Sequence, residues 1–541
     1  MKVIKEGADC RAAMKVGIDT AVNLAKVTLG GKGRIVMINI PGGIHSTMDG
    51  VTVLKNIALT DDTEDMGVKL VLEAAEKQVS MCGDGTTSVS ILLQAIINQG
   101  MEAIGKGADS LKVRIGVEKA VKIVVDHLER TAIPIGRKSK EIFQIAKISA
   151  HDDSDIAKIL SDAIGQTGEH SHITVEESRG IETYIDLAEG VKVNSGWLSP
   201  LFINNQKKMT AELDNTYILI YEGKIHSLGE IVGLFDKVNK EANSSLLIIS
   251  DNLDGDALSS LAINVKRGNL RAVAINPAGH NREDVIFRLK DIAIATGGKV
   301  LSPDEGHKLE DVELSDLGFA KKVVVEQGNT MIIGGNAKPE ELQERVETIE
   351  ANIKDAVNSF QEQILKNRIA SLTGGVGIIY VGGTLESEAK ERKDRMDDAL
   401  GAVLAALENG VVPGGGISLL QAKECLDRHI EIETSLDSGF FTRRMSDETI
   451  GMKIVSDALE LPFRQIISNA GLNPNNILKE IKNRGVGFGY NVITDEYINM
   501  VEEGVLDPAK VEINVVKNAS SIATQFLNTE GTITPIINSK L

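Results

Sequence analysis

Positive charge is in short supply: 59 Lys and Arg face 77 Asp and Glu, leaving the 541-residue chain at −18 near neutral pH. Phosphate backbones are met with clustered Lys and Arg, so this balance argues against a nucleic-acid partner. Aromatic residues are scarce at 3 %, with one Trp. That leaves little for stacking on bases and requires cores built mainly from Ala, Val, Ile and Leu. Cysteine is limited to Cys10, Cys82 and Cys425, an odd number with no metal-ligand spacing. A disulfide framework is excluded and a reducing compartment expected. No apolar run approaches the length of a membrane span, and Met1-Lys2-Val3-Ile4 does not lead into the apolar segment of a secretory signal. The expectation is a cytoplasmic protein without membrane contact. Internal repeats and low-complexity segments are absent as well. What is present, 42 % apolar residues over this length, describes a soluble chain of several domains.

The most informative stretch is Cys82-Gly83-Asp84-Gly85-Thr86-Thr87-Ser88, set between two helical patterns. Met66, Val68, Leu70, Leu72 and Ala75 precede it, and Val89, Leu92, Leu93, Ile96 and Ile97 follow until Gly100. The glycines end the first helix, and three hydroxyl residues fall on the first turn of the next, where free N–H groups favour an anion. A lone carboxylate in that turn would repel phosphate unless a cation lay between, so Asp84 points to Mg²⁺ with a nucleotide. The alternative is an ordinary Gly-Asp-Gly turn followed by Thr caps.

Other segments add weaker signals. A helix over 9–29 ends at Leu29-Gly30-Gly31-Lys32-Gly33 before a strand over 34–40. Ser46–Thr52 forms a polar turn presenting Asp49, either a site carboxylate or one bonding its own backbone. Pro134 and Gly136 close a helix over 108–130 and mark a boundary. From about Gly190, strands at 217–221, 246–249, 272–275 and 322–325 alternate with helices, which predicts an α/β domain with parallel strands. A helix over 340–371 carries Val346, Ile349, Ile353, Val357, Phe360 and Ile364 on one stripe, with Gly374 as its C-cap. The charged helix 386–407 brings Asp394, Asp397 and Asp398 close together, and periodicity does not decide between the last two. Gly414-Gly415-Gly416 opens another helix, suited to close approach of a ribose or phosphate or to a plain flexible joint. Asp507 before Pro508 is by itself a turn residue. The helical texture of 1–130 returns after about 410, predicting one helical domain built from both chain ends with an α/β domain inserted.

Taken in order, Val27–Gly33, Asp49-Gly50-Val51, Gly83–Thr87, Gly414–Gly416, Gly489-Tyr490-Asn491 and Leu506-Asp507-Pro508 resemble the group I chaperonins, the GroEL family, from about residue 5 to about 525. The resemblance implies a multidomain α plus α/β fold: an equatorial domain from 1–133 and 410–541, an intermediate domain from 134–189 and 375–409, and an apical α/β domain over 190–374. Gly190, Gly374 and Gly375 would form an upper hinge, Pro134 and Gly410 a lower one. It further implies an ATPase with Mg-ATP bound by Thr28, Leu29, Gly30, Asp84, Gly85, Thr86, Thr87, Ser88, Gly415, Asn491 and Asp507. Asp84 would hold the metal, Asp398 orient the attacking water, and Asp49 assist. K⁺ and a co-chaperonin lid are allowed without being required. Partners would be non-native polypeptides and further copies of the chain in a seven-membered ring.

By the same resemblance, Trp197, Leu201, Phe202, Val232, Phe235, Leu258, Ala262 and Ile263 would form an apolar capture surface in the ring cavity. There are departures from the family pattern. Gly31 stands where Pro is usual and Met48 where Lys is usual, removing a positive charge near the phosphates. Asn276–Asn281 and Asp427–Ser446 match poorly, Ala262 is smaller than usual, and the chain ends Ile536–Leu541 without a Gly-Met-rich tail. The sequence therefore indicates a divergent member, an ATP-driven folding machine or, as the alternative, a ring-forming scaffold or holdase with weakened ATPase. A small-molecule phosphotransferase would account for the Asp and glycine loops but not for their order.

Overall fold

The computed structural model describes residues 2–40, 43–150, 152–166, 172–178, 180–206, 208–241, 244–253, 255–277, 279, 282–354, 359–373, 375–384, 386–437 and 445–535. Acidic residues ahead of helical stretches act as caps. Asp61 accepts from Thr63 and Glu64 before the helix Asp62–Cys82, and Asp109 from Leu111 and Lys112 before Ser110–Thr131. These helices join Gly7–Ala25, Thr86–Gly105, Asp447–Ala458 and Ala509–Leu527 around one aliphatic core that includes Met14, Leu92, Ile96, Val124, Val455 and Val515. Glycine lets two of them touch: a Cβ on Gly17 would lie 1.8 Å from the Glu64 carbonyl, and one on Gly67 1.9 Å from that of Met14. Chain ends meet as well, with Lys2–Glu6 antiparallel to Gly531–Pro535.

The chain forms two compact units, 1–162 with 385–541, and 163–384. The five-segment division implied by the resemblance has other limits, its segments 134–189 and 375–409 each spanning a boundary between the two units. The first unit is the helical assembly just described, contributed by both chain ends. At its inner limit Ile133 and Val411 exchange backbone hydrogen bonds of 2.8 and 2.9 Å, and Gly410 turns there at φ +78°.

The second unit is built on a nine-stranded sheet ordered His172–Glu177, Gly375–Val381, Tyr184–Val193, Thr330–Gly335, Gly318–Val325, Ala211–Ile225, Ser245–Leu253, Ala272–Ile275, with Val300–Leu301 also on Ala211–Ile225. The expected parallel strands are present where helices intervene: Ala211–Ile225, Ser245–Leu253 and Ala272–Ile275 run parallel. Gly318–Val325 corrects that expectation, running antiparallel to both of its neighbours. No helix separates it from Thr330–Gly335, and a short turn allows only an antiparallel return. A buried charge lock stiffens this unit. Asp291 accepts from Arg345 Nε at 2.7 Å and from Arg368 Nε and a second guanidinium nitrogen at 2.7 and 2.9 Å.

The long helix expected over 340–371 is described as Pro339–Lys354 and Ser359–Thr373. Val357, Gly374, Ala278, His280, Asn281, residues 438–444 and Ile536–Leu541 lie outside the described residues. Among the described residues, no helix is long and apolar enough to cross a membrane.

Candidate functional site

The Gly83–Gly85 turn follows from its residue types. Gly83 ends the helix Asp62–Cys82 at φ +72°, and Gly85 stands before Thr86–Gly105 at φ +87°. Both lie in the left-handed region, which disfavours a Cβ. Gly85 offers no side chain, so nothing caps the helix that begins at Thr86. Its first-turn N–H groups, from the segment that carries Thr87 and Ser88, are left for water or an anion. Asp84 is held between them: Oδ1 accepts from Gly85 N at 2.5 Å and Oδ2 from Ser149 Oγ at 3.0 Å. Its carbonyl accepts from Gln78 Nε2 at 3.0 Å, and Gln78, fully buried, also donates to the Val511 carbonyl and accepts from Asn518. Gln78 and Ser149 were not singled out in the sequence. A polar residue on a buried helix face was the available signal for Gln78, and Ser149 had none.

Thr28 approaches this turn, its Oγ1 lying 3.5 Å from that of Thr87. The backbone beyond it is fixed by Asn469, whose amide donates to the carbonyls of Lys26 and Leu29 at 3.0 and 2.8 Å. Gly30 turns at φ +87° against Ile466. Gly50 also abuts the site, since a Cβ there would meet the Thr87 hydroxyl at 2.5 Å.

Asp49 is the N-cap of Gly50–Lys55, accepting from Val51 N, Thr52 N and Thr52 Oγ1 at 3.1, 2.8 and 2.6 Å. Both carboxylate oxygens are thus engaged locally. Asp398 is different. It sits on the helix Glu386–Asn409, next to where Gly401 meets Gly83, and the carbonyl of Asp398 is 3.5 Å from a Cβ built on Gly83. Its carboxyl is pushed well above the ordinary range, first by desolvation and then by the charges of Asp49, Asp84, Asp397 and Asp394. Asp397 faces Lys393 at 3.6 Å instead. The environment therefore separates the two neighbours that periodicity left equivalent.

On the other flank, Val412 pairs with Asp507 across the strands Val411–Pro413 and Leu506–Pro508. Asp507 accepts the Gly415 N–H and hydrogen-bonds Glu512, and burial followed by the charge of Asp84 pushes its carboxyl up to about 7. Gly415 and Gly416 turn at φ +65° and +77°. Asn491 ends the strand Phe488–Asn491, with its Oδ1 taken by Ile493 N and Thr494 N at 2.9 and 3.4 Å. The same hairpin reaches both glycine loops, Ile493 lying against Gly31 and Met500 against Gly415. Leu29 packs on the helical core rather than presenting a polar group.

The eight apolar residues assigned to capture divide by burial. Leu201, Val232 and Ile263 are 42, 47 and 44 % exposed. Trp197 and Leu258 are partly buried against the sheet core. Phe202, Phe235 and Ala262 are 2–4 % exposed and belong to that core, so in this structure they present no surface.

The donor set fits Mg²⁺ in one way only. Among the described residues no group of three His, Cys, Asp or Glu is arranged as a metal cage. Mg²⁺ is commonly held by one or two carboxylates together with substrate phosphates. Asp84, beside an uncapped helix start and in the field that raises Asp398, offers that arrangement.

Residues 22–230 and 240–536 match the profile of the TCP-1/cpn60 chaperonin family. Among solved structures, the fold is shared with chaperonin gp146 from bacteriophage EL 2 (Pseudomonas aeruginosa), determined in the presence of ATP-BeFx. In one crystal form the TM-score is 0.71 at 22 % identity, covering 98 % of this chain and 99 % of that one. In the other it is 0.64 at 21 % identity, with the same coverage.

Proposed function

Starting from the fact that the chain belongs to the TCP-1/cpn60 chaperonin family, we propose that it is an ATP-driven chaperonin whose nucleotide site is the Gly83–Gly85 turn. The observation that carries this reading is the convergence on one uncapped helix start of Thr28, Gly50, Asp84, Asp398 and, within range of the Asp84 charge, Asp507. The N–H groups of Thr86, Thr87 and Ser88 receive phosphate oxygens, aided by the dipole of a long helix. Gly30 and Gly415 let backbone approach the nucleotide, and Asn491 and Asp507 orient it. Asp84 holds Mg²⁺, which supplies positive charge against the phosphates. Asp398 accepts a hydrogen bond from the attacking water and aligns it; Asp49 contributes charge beside it while capping its own helix. Hydrolysis is thus achieved by positioning and fixed charge. Leu201, Val232 and Ile263 form the accessible part of a surface that binds exposed apolar segments of non-native polypeptides, and copies of the chain assemble as a ring.

Mg²⁺-dependent ATP turnover by the purified protein tests this, with Asp398→Ala as the control. Turnover that falls about 10²-fold in the variant while nucleotide binding persists supports the reading. A second reading, a ring-forming holdase with weakened ATPase, is favoured by Met48, which supplies no charge where the family usually has Lys. Robust turnover removes it.

A further inference from the structure

Glu512 lies on the first turn of the helix Ala509–Leu527, is 6 % exposed, and is hydrogen-bonded to Asp507. Its Oε2 is buried without a donor. Two carboxylates cannot hydrogen-bond to each other unless one of them carries a proton. One shared proton would satisfy the pair, in which Asp507 bonds the Gly415 N–H on one side and Glu512 on the other, its Oδ1 lying 3.1 Å from a Cβ built on Gly414. The ionisable groups around the pair do not relieve it. Asp84 faces it with a like charge, and Lys510, on the same helix, is committed to Glu408 at 2.5 Å. Gln78, Asn514 and Asn518 nearby are neutral.

We propose that Glu512 is a positioning residue of the nucleotide site, sharing one proton with Asp507 so that the pair faces the Gly414–Gly416 loop as a monoanion. The inference rests on the nucleotide reading given above. In a site built for phosphates, the acceptor that such a pair presents suits a hydroxyl donor, which on a nucleotide is the sugar. Retaining the proton keeps one negative charge rather than two beside Asp84 and the bound phosphates. The directions of titration agree: desolvation and mutual repulsion raise both carboxyls, Glu512 well above its ordinary range. Raising the pH removes the proton and places a second charge against an anionic ligand.

The test is calorimetric titration of Mg-ADP into the full-length protein and its Glu512→Gln variant from about pH 6 to about pH 9. The Gln amide donates to Asp507 but has no proton to lose. Wild-type affinity is expected to fall about tenfold more than that of the variant across this range. Parallel profiles overturn the proposal while leaving the nucleotide site intact. Absence of Mg-ADP binding by either form at any pH overturns the nucleotide reading instead, and the role of Glu512 with it. Glu512→Leu, which keeps side-chain bulk without a donor, should weaken binding at every pH; unchanged binding in this variant also overturns the proposal. Thermal unfolding without nucleotide reads the pair directly. The wild type should lose stability relative to Glu512→Gln as pH rises, and a constant gap rules out the shared proton.

Discussion

Gly83 and Gly401 face each other Cα to Cα: a Cβ built on Gly83 would lie 2.9 Å from the Gly401 Cα, and one built on Gly401 2.8 Å from that of Gly83. This contact lets the helix bearing Asp398 lie directly on the turn bearing Asp84. Gly401→Ala keeps good helix propensity, so any cost arises from the crossing and not from the helix itself. Overpacking at such a contact costs about 1–3 kcal/mol and pushes the helix off the turn. We expect ATP turnover to fall by more than the stability loss explains, with circular dichroism unchanged. Normal turnover in a stable Gly401→Ala protein would show that the close crossing is not required.

Asp49 separates two roles that a carboxylate can hold at once. As N-cap it satisfies Val51 and Thr52, which Asn also does well, whereas Ala loses about 1 kcal/mol. Asp49→Asn is therefore expected to melt like the wild type, and Asp49→Ala about 1–2 °C lower. Turnover should fall in both, because both remove the charge near Asp398. Full activity in Asp49→Asn would reduce this residue to a cap.

The Asp398 carboxyl is raised chiefly by desolvation and then by neighbouring carboxylates. A raised carboxyl contributes stability that is complete below its unfolded value, about pH 4, and is lost as pH climbs through the folded value. Asp398→Asn does not titrate. Without nucleotide and with metal chelated, its stability advantage over wild type should widen as pH rises from about 4. Adding Mg²⁺ should shrink that gap. Denaturant melts across pH test the sign, and a gap that narrows with rising pH contradicts the electrostatic account.

Much of this was legible in the sequence because glycine and helical periodicity carry position. The helix stop at Gly83, the loop at Gly414–Gly416 and the insertion of an α/β unit all follow from residue type and order. Long-range partners do not. Ser149 on Asp84 and Asn469 on the Lys26 and Leu29 carbonyls are contacts across tens to hundreds of residues, with no local signature. Asp397 and Asp398 are adjacent on one helix, and burial together with the surrounding charges tells them apart. The antiparallel Gly318–Val325 departs from the strand–helix alternation because a short turn, with no helix, leads from it to Thr330–Gly335. Burial was the weakest inference for aromatics, since Phe202 and Phe235 belong to the core in this structure.

Asp291 binds Arg345 and Arg368 where little water reaches, at 7 % side-chain exposure, with Arg368 at 5 %. Removing one member of a buried charge group leaves the others uncompensated and costs about 3–5 kcal/mol. Asp291→Ala should therefore unfold the α/β unit at markedly lower denaturant. ATP turnover, which we propose for residues of the helical unit, should survive at temperatures where that unit remains folded. A second, early transition in the melt would register the loss; a single unshifted one would argue that the triad is replaceable.

The division of the apolar residues by burial yields the sharpest test of substrate capture. Phe235 is 4 % exposed, so Phe235→Ala leaves a cavity and should cost about 3–5 kcal/mol. Any loss of chaperone activity in that variant is then ambiguous between binding and folding. Leu201, Val232 and Ile263 already meet solvent, so Ser at these positions alters little that is packed and should shift stability by about 0.5 kcal/mol or less each. If they receive client chains, the triple variant keeps its melting temperature and ATP turnover yet no longer suppresses aggregation of a denatured test protein. If suppression is unchanged, capture lies on other residues. If it disappears only together with stability, the apolar face is core and not a binding surface. The comparison works because exposure, unlike hydrophobicity, distinguishes a residue that holds the unit together from one free to hold something else.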